Sequence, residues 1–585
     1  MSSKQTIVES LETRTLMSAT LADGLLTVTG TDAAETIRVE QEGSRIYAYV
    51  GDVRDSFRAS RVQTIRVDAL GGDDTVQIEV KRNSRIQGGA GDDTISGGSG
   101  HDTIDGDQGT DVMFGNKGSD TNVWDPGDGS DVVEGGKGFD ALLFNGSDGA
   151  EIMDASANGD RLKFFRNLGN INIDAGSTER LIVIAKGGAD QITNNDLTGT
   201  PVTHVEVDAG DGDDVVNGGN LSETLFGGAG NDTIDGNKGD DAMLGGDGDD
   251  LLIWDPGDGS DLNNGGNGDD VLRFNGSNGD EVMTMSTIAR NQRTIFTRDL
   301  GNIRLDVRKI ETVDVEAKGG ADKMIISDLS AGTVRTVNVD LESATGTNTP
   351  DDRADFVQVL GTSAADTVTV TGAAGGPATV AGLAATVKVA NSSATDDLLA
   401  VSGLAGNDVI DASALQAGVV KVMNLSGDGG NDSLLGSRGV DEMFGGNQHD
   451  FADGNQGDDR AVMGGGDDLF VWDSGDGSDV VEGRAGADLF RFNGSNGNEV
   501  MNAQADGGRM KFFRDLGNIN MDVAAFEEME VFALGGDDEI TIGDLSGTGI
   551  GAVFANGGAG SDTIIRSSAN GIVTAVEFET EKQEK

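Results

Sequence analysis

A period of nine residues constrains this chain more than any other feature. From Gly88 the sequence runs GGAGDDTIS, GGSGHDTID, GDQGTDVMF and GNKGSDTNV; Trp124-Asp125 then interrupts the count, and PGDGSDVVE and GGKGFDALL carry it to Leu143. A second array runs from Ala209 to Arg273 and a third from Gly427 to Arg491, with Trp254-Asp255 and Trp472-Asp473 each standing before the last two units. The arrays hold six, seven and seven units, twenty in all, of which nineteen have Asp at position six, eighteen Gly at position four and eighteen an apolar residue at position eight. Glu223 departs at position six, Leu221 and Gln448 at position four, Asn122 and Asn263 at position eight. With Gly at 92 of 585 residues, composition alone does not produce such phasing. A fixed short period implies a stack of small units rather than one compact core.

Each unit divides into a loop and a strand. Six residues of Gly, Asp and Asn favour a tight turn, because Gly takes positive φ freely and Asx side chains bond their own backbone. The last three, x-U-x with U apolar, make a short strand with one side chain inward. Two units then complete one coil, and stacked coils make two facing parallel sheets. Ile95, Ile104, Met113, Val133 and Leu142 are the expected interior of the first array.

The loops stack along the edges, and there the acids gather. The candidate metal ligands are Asp93, Asp102, Asp111, Asp120, Asp131 and Asp140 in the first array. In the second they are Asp214, Asp232, Asp241, Asp250, Asp261 and Asp270. In the third they are Asp432, Asp441, Asp450, Asp459, Asp468, Asp479 and Asp488. The chain has no Cys and only His101, His204 and His449, which leaves oxygen as the ligand type and hard cations, calcium above all, as the ions. Mg²⁺ suits such loops less well, since it demands a tighter octahedron and keeps its waters. The net charge of −59 opposes compaction unless cations bind, and it excludes nucleic acid as a partner.

The pattern G-G-x-G-x-D-x-U-x resembles the hemolysin-type (RTX) calcium-binding repeat. The resemblance implies an all-β fold of tandem parallel β-rolls with β-rich capping or spacer segments, and calcium ions as the bound partner. Family labels such as toxin or cyclase describe proteins that carry such repeats beside another domain. Here no sizeable non-repeat catalytic region stands out, and Lys137 is followed by Gly rather than the Ser or Thr of a phosphate-binding loop. The expectation is therefore a protein that is not an enzyme. Ice binding, known for some calcium-dependent β-rolls, needs uniform outward Thr or Asn ladders, whereas position seven here runs Thr94, Thr103, Val112, Thr121, Val132, Ala141.

Each array leads into a related tail. These begin FNGSDGAEI, FNGSNGDEV and FNGSNGNEV at Phe144, Phe274 and Phe492, then reach RNLGNINID, RDLGNIRLD and RDLGNINMD at Arg166, Arg298 and Arg514. Their period-two alternation predicts strands that extend or cap the rolls, with Phe164-Phe165 and Phe512-Phe513 closing an open sheet end. The recurring W-D-[PS]-G-D-G-S-D segment predicts a bulge packed by the indole; its Asp125, Asp128 and Asp131 fall at every third residue, which is not EF-hand spacing. The expected organisation is a targeting-like segment at 1–20, an N-terminal cap at 21–87, rolls at 88–154, 209–283 and 427–500, spacers at 155–208, 284–336 and 501–555, an insert at 337–426, and a degenerate repeat with charged tail at 556–585.

Leu11-Glu12-Thr13-Arg14-Thr15-Leu16-Met17 is similar to the Leu-Glu-Pro-Arg-x-Leu-Leu segment near the start of many large bacterial surface and secreted proteins, with Thr13 in place of its Pro. The start lacks the basic and apolar regions of a cleavable signal, and no apolar run reaches the roughly 18 residues of a membrane span. Together these features predict a secreted or cell-surface bacterial protein with a structural or adhesive role, whose further partners are surface glycans or matrix components.

Overall fold

The computed structural model describes residues 18–584 apart from 289, 291 and 570; the segment Leu11–Met17 lies outside them. The fold is all-β. Among the described residues the only helical segments are three 3-10 turns, Ala59–Arg61, Leu168–Asn170 and Leu300–Asn302. Two compact units are present, one running to Ile253 and including 257–268, the other comprising 254–256 and 269 onward.

In the first unit the repeats alternate between two parallel sheets. Val112–Lys117 lies between Thr94–Ser96 and Val132–Lys137 in one, and Thr103–Gln108 between Asn83–Ala90 and Thr121–Trp124 in the other. The register pairs Thr94 with Val112 and Arg85 with Thr103, a step of two nine-residue units. That step follows from one side chain in three pointing inward: Ile95, Met113 and Val133 fill one sheet's inner face, Ile104 and Leu142 the other's, and all are buried. Asn122 shares that inner row, and neither atom of its amide finds a hydrogen-bond partner. The second unit repeats the arrangement, with Leu434, Ala452, Phe470 and Phe490 in line in one sheet and Met443, Ala461 and Val481 in the other.

The two extra residues at each Trp do not make a bulge. Val112 pairs with Val132 and Met113 with Val133 without a register shift, so the ladder runs on and the coil is simply longer at its turn. A short turn absorbs the excess because a slip in the strand would drive the apolar row outward.

The tails extend the rolls rather than closing them. In the first unit Ile152–Asn158, Arg161–Arg166 and Ile171–Gly176 form an antiparallel meander. One side of it pairs in parallel with Val132–Lys137 and the other with Gln191–Asn194, while in the opposite sheet Ala141–Asn145 pairs directly with Arg180–Ile184. One sheet thus gains two strands that the other lacks. Phe164 is buried against Phe144 inside the roll, where sequence reasoning had it closing an end. In the second unit Val500–Asp506, Arg509–Arg514 and Ile519–Ala524 repeat the device. The segment 337–426 is more of the same roll: Phe356 pairs with Leu398, Leu398 with Val422 and Met423 with Asp441, all in parallel.

Candidate metal sites along the stacked loops

Position two of the loop takes a left-handed backbone, which accounts for the residues found there. Gly89, Gly98 and Gly136 have φ near +100°, and Asp107, Asn116, Asn237 and Asn455 take the smaller positive values that Asx residues tolerate. Position four needs Gly for close approach. Most such residues lie on a carbonyl of the coil beneath, so a Cβ on Gly129 would overlap Gly109 O and one on Gly477 would overlap Gly457 O.

This close stacking brings the position-six acids into register. Asp93 N–H donates to Asp111 Oδ1 at 2.7 Å, Asp111 N–H to Asp131 Oδ1 at 2.9 Å, and on the other edge Asp102 N–H donates to Asp120 Oδ1 and Asp120 N–H to Asp140 Oδ1, both at 2.8 Å. The third array builds the same ladder from Asp432 through Asp450 and Asp468 to Asp488. All nineteen predicted aspartates are at most 3 % exposed. The structure places every one of them at a coil edge behind a position-four residue.

One carboxylate oxygen is thereby used. In most of the nineteen, Asp111, Asp120 and Asp459 among them, Oδ2 is buried and accepts no hydrogen bond. It faces a cradle: the point where Gly115 would carry a Cβ is 2.6 Å from both Asp120 Oδ2 and Gly135 O, and the same point on Gly88 is 2.5 Å from Asp93 Oδ2 and 2.6 Å from Gly106 O. Carboxylate and carbonyl oxygens so placed offer no proton and no nitrogen or sulfur, which is the donor set of a hard cation. Charge shows the same imbalance. Burial first, then neighbouring carboxylates, push Asp111 up to about 8 and Asp459 up to about 9, against the restraint of the backbone N–H bonds.

The ladder runs past the arrays to acids outside the nineteen candidates; of the four donors that follow, only Asp408 stands in a full nonapeptide legible in the sequence, GLAGNDVID at Gly403. Asp74 N–H donates to Asp93, Asp190 N–H to Asp214, Asp408 N–H to Asp432 and Asp538 N–H to Asp562, and each of these four donors is itself buried with an unpartnered Oδ2. The signal was present as half a unit: Gly-x-Asp-x-apolar survives at Gly72 to Val76, Gly188 to Ile192 and Gly536 to Ile540. Glu223, the one array acid that is not Asp, keeps its place, donating its N–H to Asp241 Oδ1 at 2.7 Å.

At three places the protein supplies its own cation. Glu151, Glu281 and Glu499 are fully buried, and Arg166, Arg298 and Arg514 form ion pairs with them. Each guanidinium also lies over an indole, 5.2 Å from the ring of Trp124, 5.4 Å from Trp254 and 5.5 Å from Trp472. The indoles stack in turn on Phe144, Phe274 and Phe492 at 4.4, 4.4 and 4.1 Å. This is why the Trp, the Phe of the tail and the Arg that follows recur together: they form one buried junction. His101 and His449 have structural roles at the loop rim, where their Nδ1 atoms accept the N–H of Ser119 and Asp467.

Residues 86–121, 217–252, 426–461, 435–470 and 473–506 match the family model of the RTX calcium-binding nonapeptide repeat. The three arrays are RTX repeats. No curated protein matches the chain. The matched stretches fall within or close around the arrays, whose buried acids include most of those with a second oxygen that accepts no hydrogen bond. The match at 473–506 runs into the third tail, and the parallel sheets continue through the tails and the 337–426 segment.

Proposed function

We propose that this is a calcium-folded structural or adhesive protein of the cell surface or extracellular space, in which the RTX loops hold Ca²⁺ through the nineteen position-six aspartates and the loop carbonyls beside them. One observation carries the reading: a row of buried aspartates along either edge of the rolls, most of them with one carboxylate oxygen that accepts no hydrogen bond, Asp93, Asp111, Asp120 and Asp459 among them. Where such an acid is neutralised from within, an Arg does it, and those three acids are Glu, longer by a methylene and able to reach.

Binding free energy is then folding free energy. At low calcium the −59 chain repels itself and stays expanded. At the millimolar calcium found outside cells, roughly a dozen divalent ions would bring on the order of +24 charge and draw the coils together. The roll is a scaffold that stiffens after export, and no catalytic role is proposed. Among the described residues no helix is long and apolar enough to cross a membrane. Surface glycans or matrix components are the partners such a scaffold would meet.

Circular dichroism and hydrodynamic radius of the purified chain test the reading. The expected result is an expanded coil in chelator and a compact β-rich chain in millimolar calcium, with magnesium at the same concentration failing to replace it. A β-rich, compact chain that chelator leaves unchanged would refute it. Binding to a glycan array only in calcium would support the adhesive role.

A further inference from the structure

We propose that the outward face of the antiparallel strands Thr36–Glu42, Arg45–Val50 and Val53–Arg58 binds an anionic polysaccharide, whose sulfate or carboxylate groups are held by Arg45, Arg54 and Arg58. This names a partner for the adhesive role proposed above and rests on that reading. The register settles what the face presents: Arg58 lies directly opposite Arg45, Ser56 opposite Tyr47 and Arg54 opposite Tyr49. The alternate residues Ile46, Ala48 and Val50 turn inward and are buried. Among the described residues Val53–Arg58 pairs only with Arg45–Val50, so the face stands at the end of its sheet.

Its charge runs against that of the whole chain. Acids outnumber bases 101 to 42, yet of the four arginines here only Arg38 forms an ion pair with a described acid, Glu40, at 2.8 Å. Glu42 stands opposite Arg45, but the guanidinium turns the other way and donates to Ser56 O at 3.0 Å. Arg45, Arg54 and Arg58 are all exposed. Two like charges directly opposite each other across antiparallel strands, as Arg45 and Arg58 are, destabilise the pairing unless an anion lies between them. The three tail meanders show the self-sufficient arrangement: there Arg161, Arg293 and Arg509 pair across the strand with Asp174, Asp306 and Asp522. The N-terminal meander leaves that acid to be supplied from outside.

The guanidiniums are also held ready. Arg54 lies over the ring of Tyr47 at 4.8 Å and Arg38 over that of Tyr49 at 4.5 Å, and these are the only two Tyr residues of the chain. Stacking fixes a guanidinium by its flat side and leaves its edge N–H groups to fork onto an oxyanion. Arg54 and Arg58 are four residues apart on one strand, about 13 Å, with Ser56 between them. Anionic groups with hydroxyls between them are what an acidic sugar chain offers to such a row. A nucleic acid strand would instead need open ring faces for its bases, and both rings here already carry a guanidinium.

Binding of the full chain in calcium to dextran sulfate, with unmodified dextran and a DNA duplex as the other arms, tests this. The expected result is that dextran sulfate is bound at physiological salt and more tightly than DNA, that dextran is not bound, and that Arg54→Gln with Arg58→Gln weakens binding by about tenfold or more. Lys163→Gln removes an exposed cation from a tail meander and should leave the affinity as it is. No binding of dextran sulfate, equal binding of dextran or tighter binding of DNA overturns the inference. So does a double variant that binds as the wild type does, or an equal loss in Lys163→Gln, which would mean diffuse attraction rather than this face. Circular dichroism of the same samples reads the calcium transition separately and checks that the variants fold. A chain that folds with calcium and binds other glycans but ignores dextran sulfate therefore refutes this site alone.

Discussion

At the scale of single residues, two demands on glycine overlap in the loop. Positions two and four both take positive φ in most units and both would set a Cβ against a carbonyl of the coil beneath, but position two admits Asn and Asp, whereas Gly129 and Gly477 at position four lack a positive φ and are required by the contact alone. Gly477→Ala should therefore lower the stability of the calcium-loaded chain by about 3 kcal/mol, since neither backbone can yield. Gly465→Ala, at a position with nothing within 4 Å of the added methyl, should change it by no more than about 0.5 kcal/mol. Melting curves of the two variants in calcium check the contrast, and equal losses would show that backbone entropy rather than contact sets the requirement. The aspartates give a second residue-scale expectation. Asp93 is pushed up to about 6, Asp111 to about 8 and Asp459 to about 9, from the usual 3.8. Without calcium the folded chain thus keeps protons that the unfolded chain has released. Their stabilising effect is fully present below about pH 4 and is lost as pH rises through 6 to 9. In chelator the β signal in circular dichroism should grow on acidification from pH 9 to 4. In calcium the trend should reverse, as protons compete with the ion for the same oxygens.

At the scale of elements, the meanders and the Trp turns decide how the coils join. Repeats alone would stack without limit; the hairpin strands interrupt that regularity, and each is locked by a Glu–Arg pair beneath a Trp–Phe stack. A buried pair broken on one side leaves a charge with no partner, at a cost of about 3–5 kcal/mol. Arg514→Met should destabilise the second unit by that amount, and added calcium should not recover it, because the geometry around Glu499 was made for a guanidinium. Adding Glu499→Gln should restore most of the loss. Denaturant unfolding of the two single variants and the double variant measures the coupling, and additive losses would mean the pair does not act as a unit.

At the scale of the whole molecule, charge and fold are one problem. The chain carries 101 acidic against 42 basic residues, and its architecture lines many of the acids up in buried rows instead of spreading them over a surface. Such an arrangement is unfavourable alone and favourable with divalent ions, and on the function proposed above the folded state is conditional on its surroundings. That conditionality is what a surface protein needs if it must leave the cell as an open chain and stiffen outside. The 337–426 segment and the tails take part in it, since their acids Asp190, Asp408 and Asp538 belong to the same ladders.

The nine-residue period determined, without any structure, the two-sheet roll, the inward residues such as Ile95 and Met113, and the edge position of every array aspartate. It could do so because a short period makes each contact a nearly local one: the neighbour of a residue is its own counterpart two units away. What lay beyond reach was wherever the contact spans a different distance. Glu151 meets Arg166 across a hairpin, and Asp74 meets Asp93 across a degenerate unit. In those places spacing carries no information about proximity. Only the folded chain, in which coils of unequal length are forced into a common register by their apolar rows, brings these charges face to face.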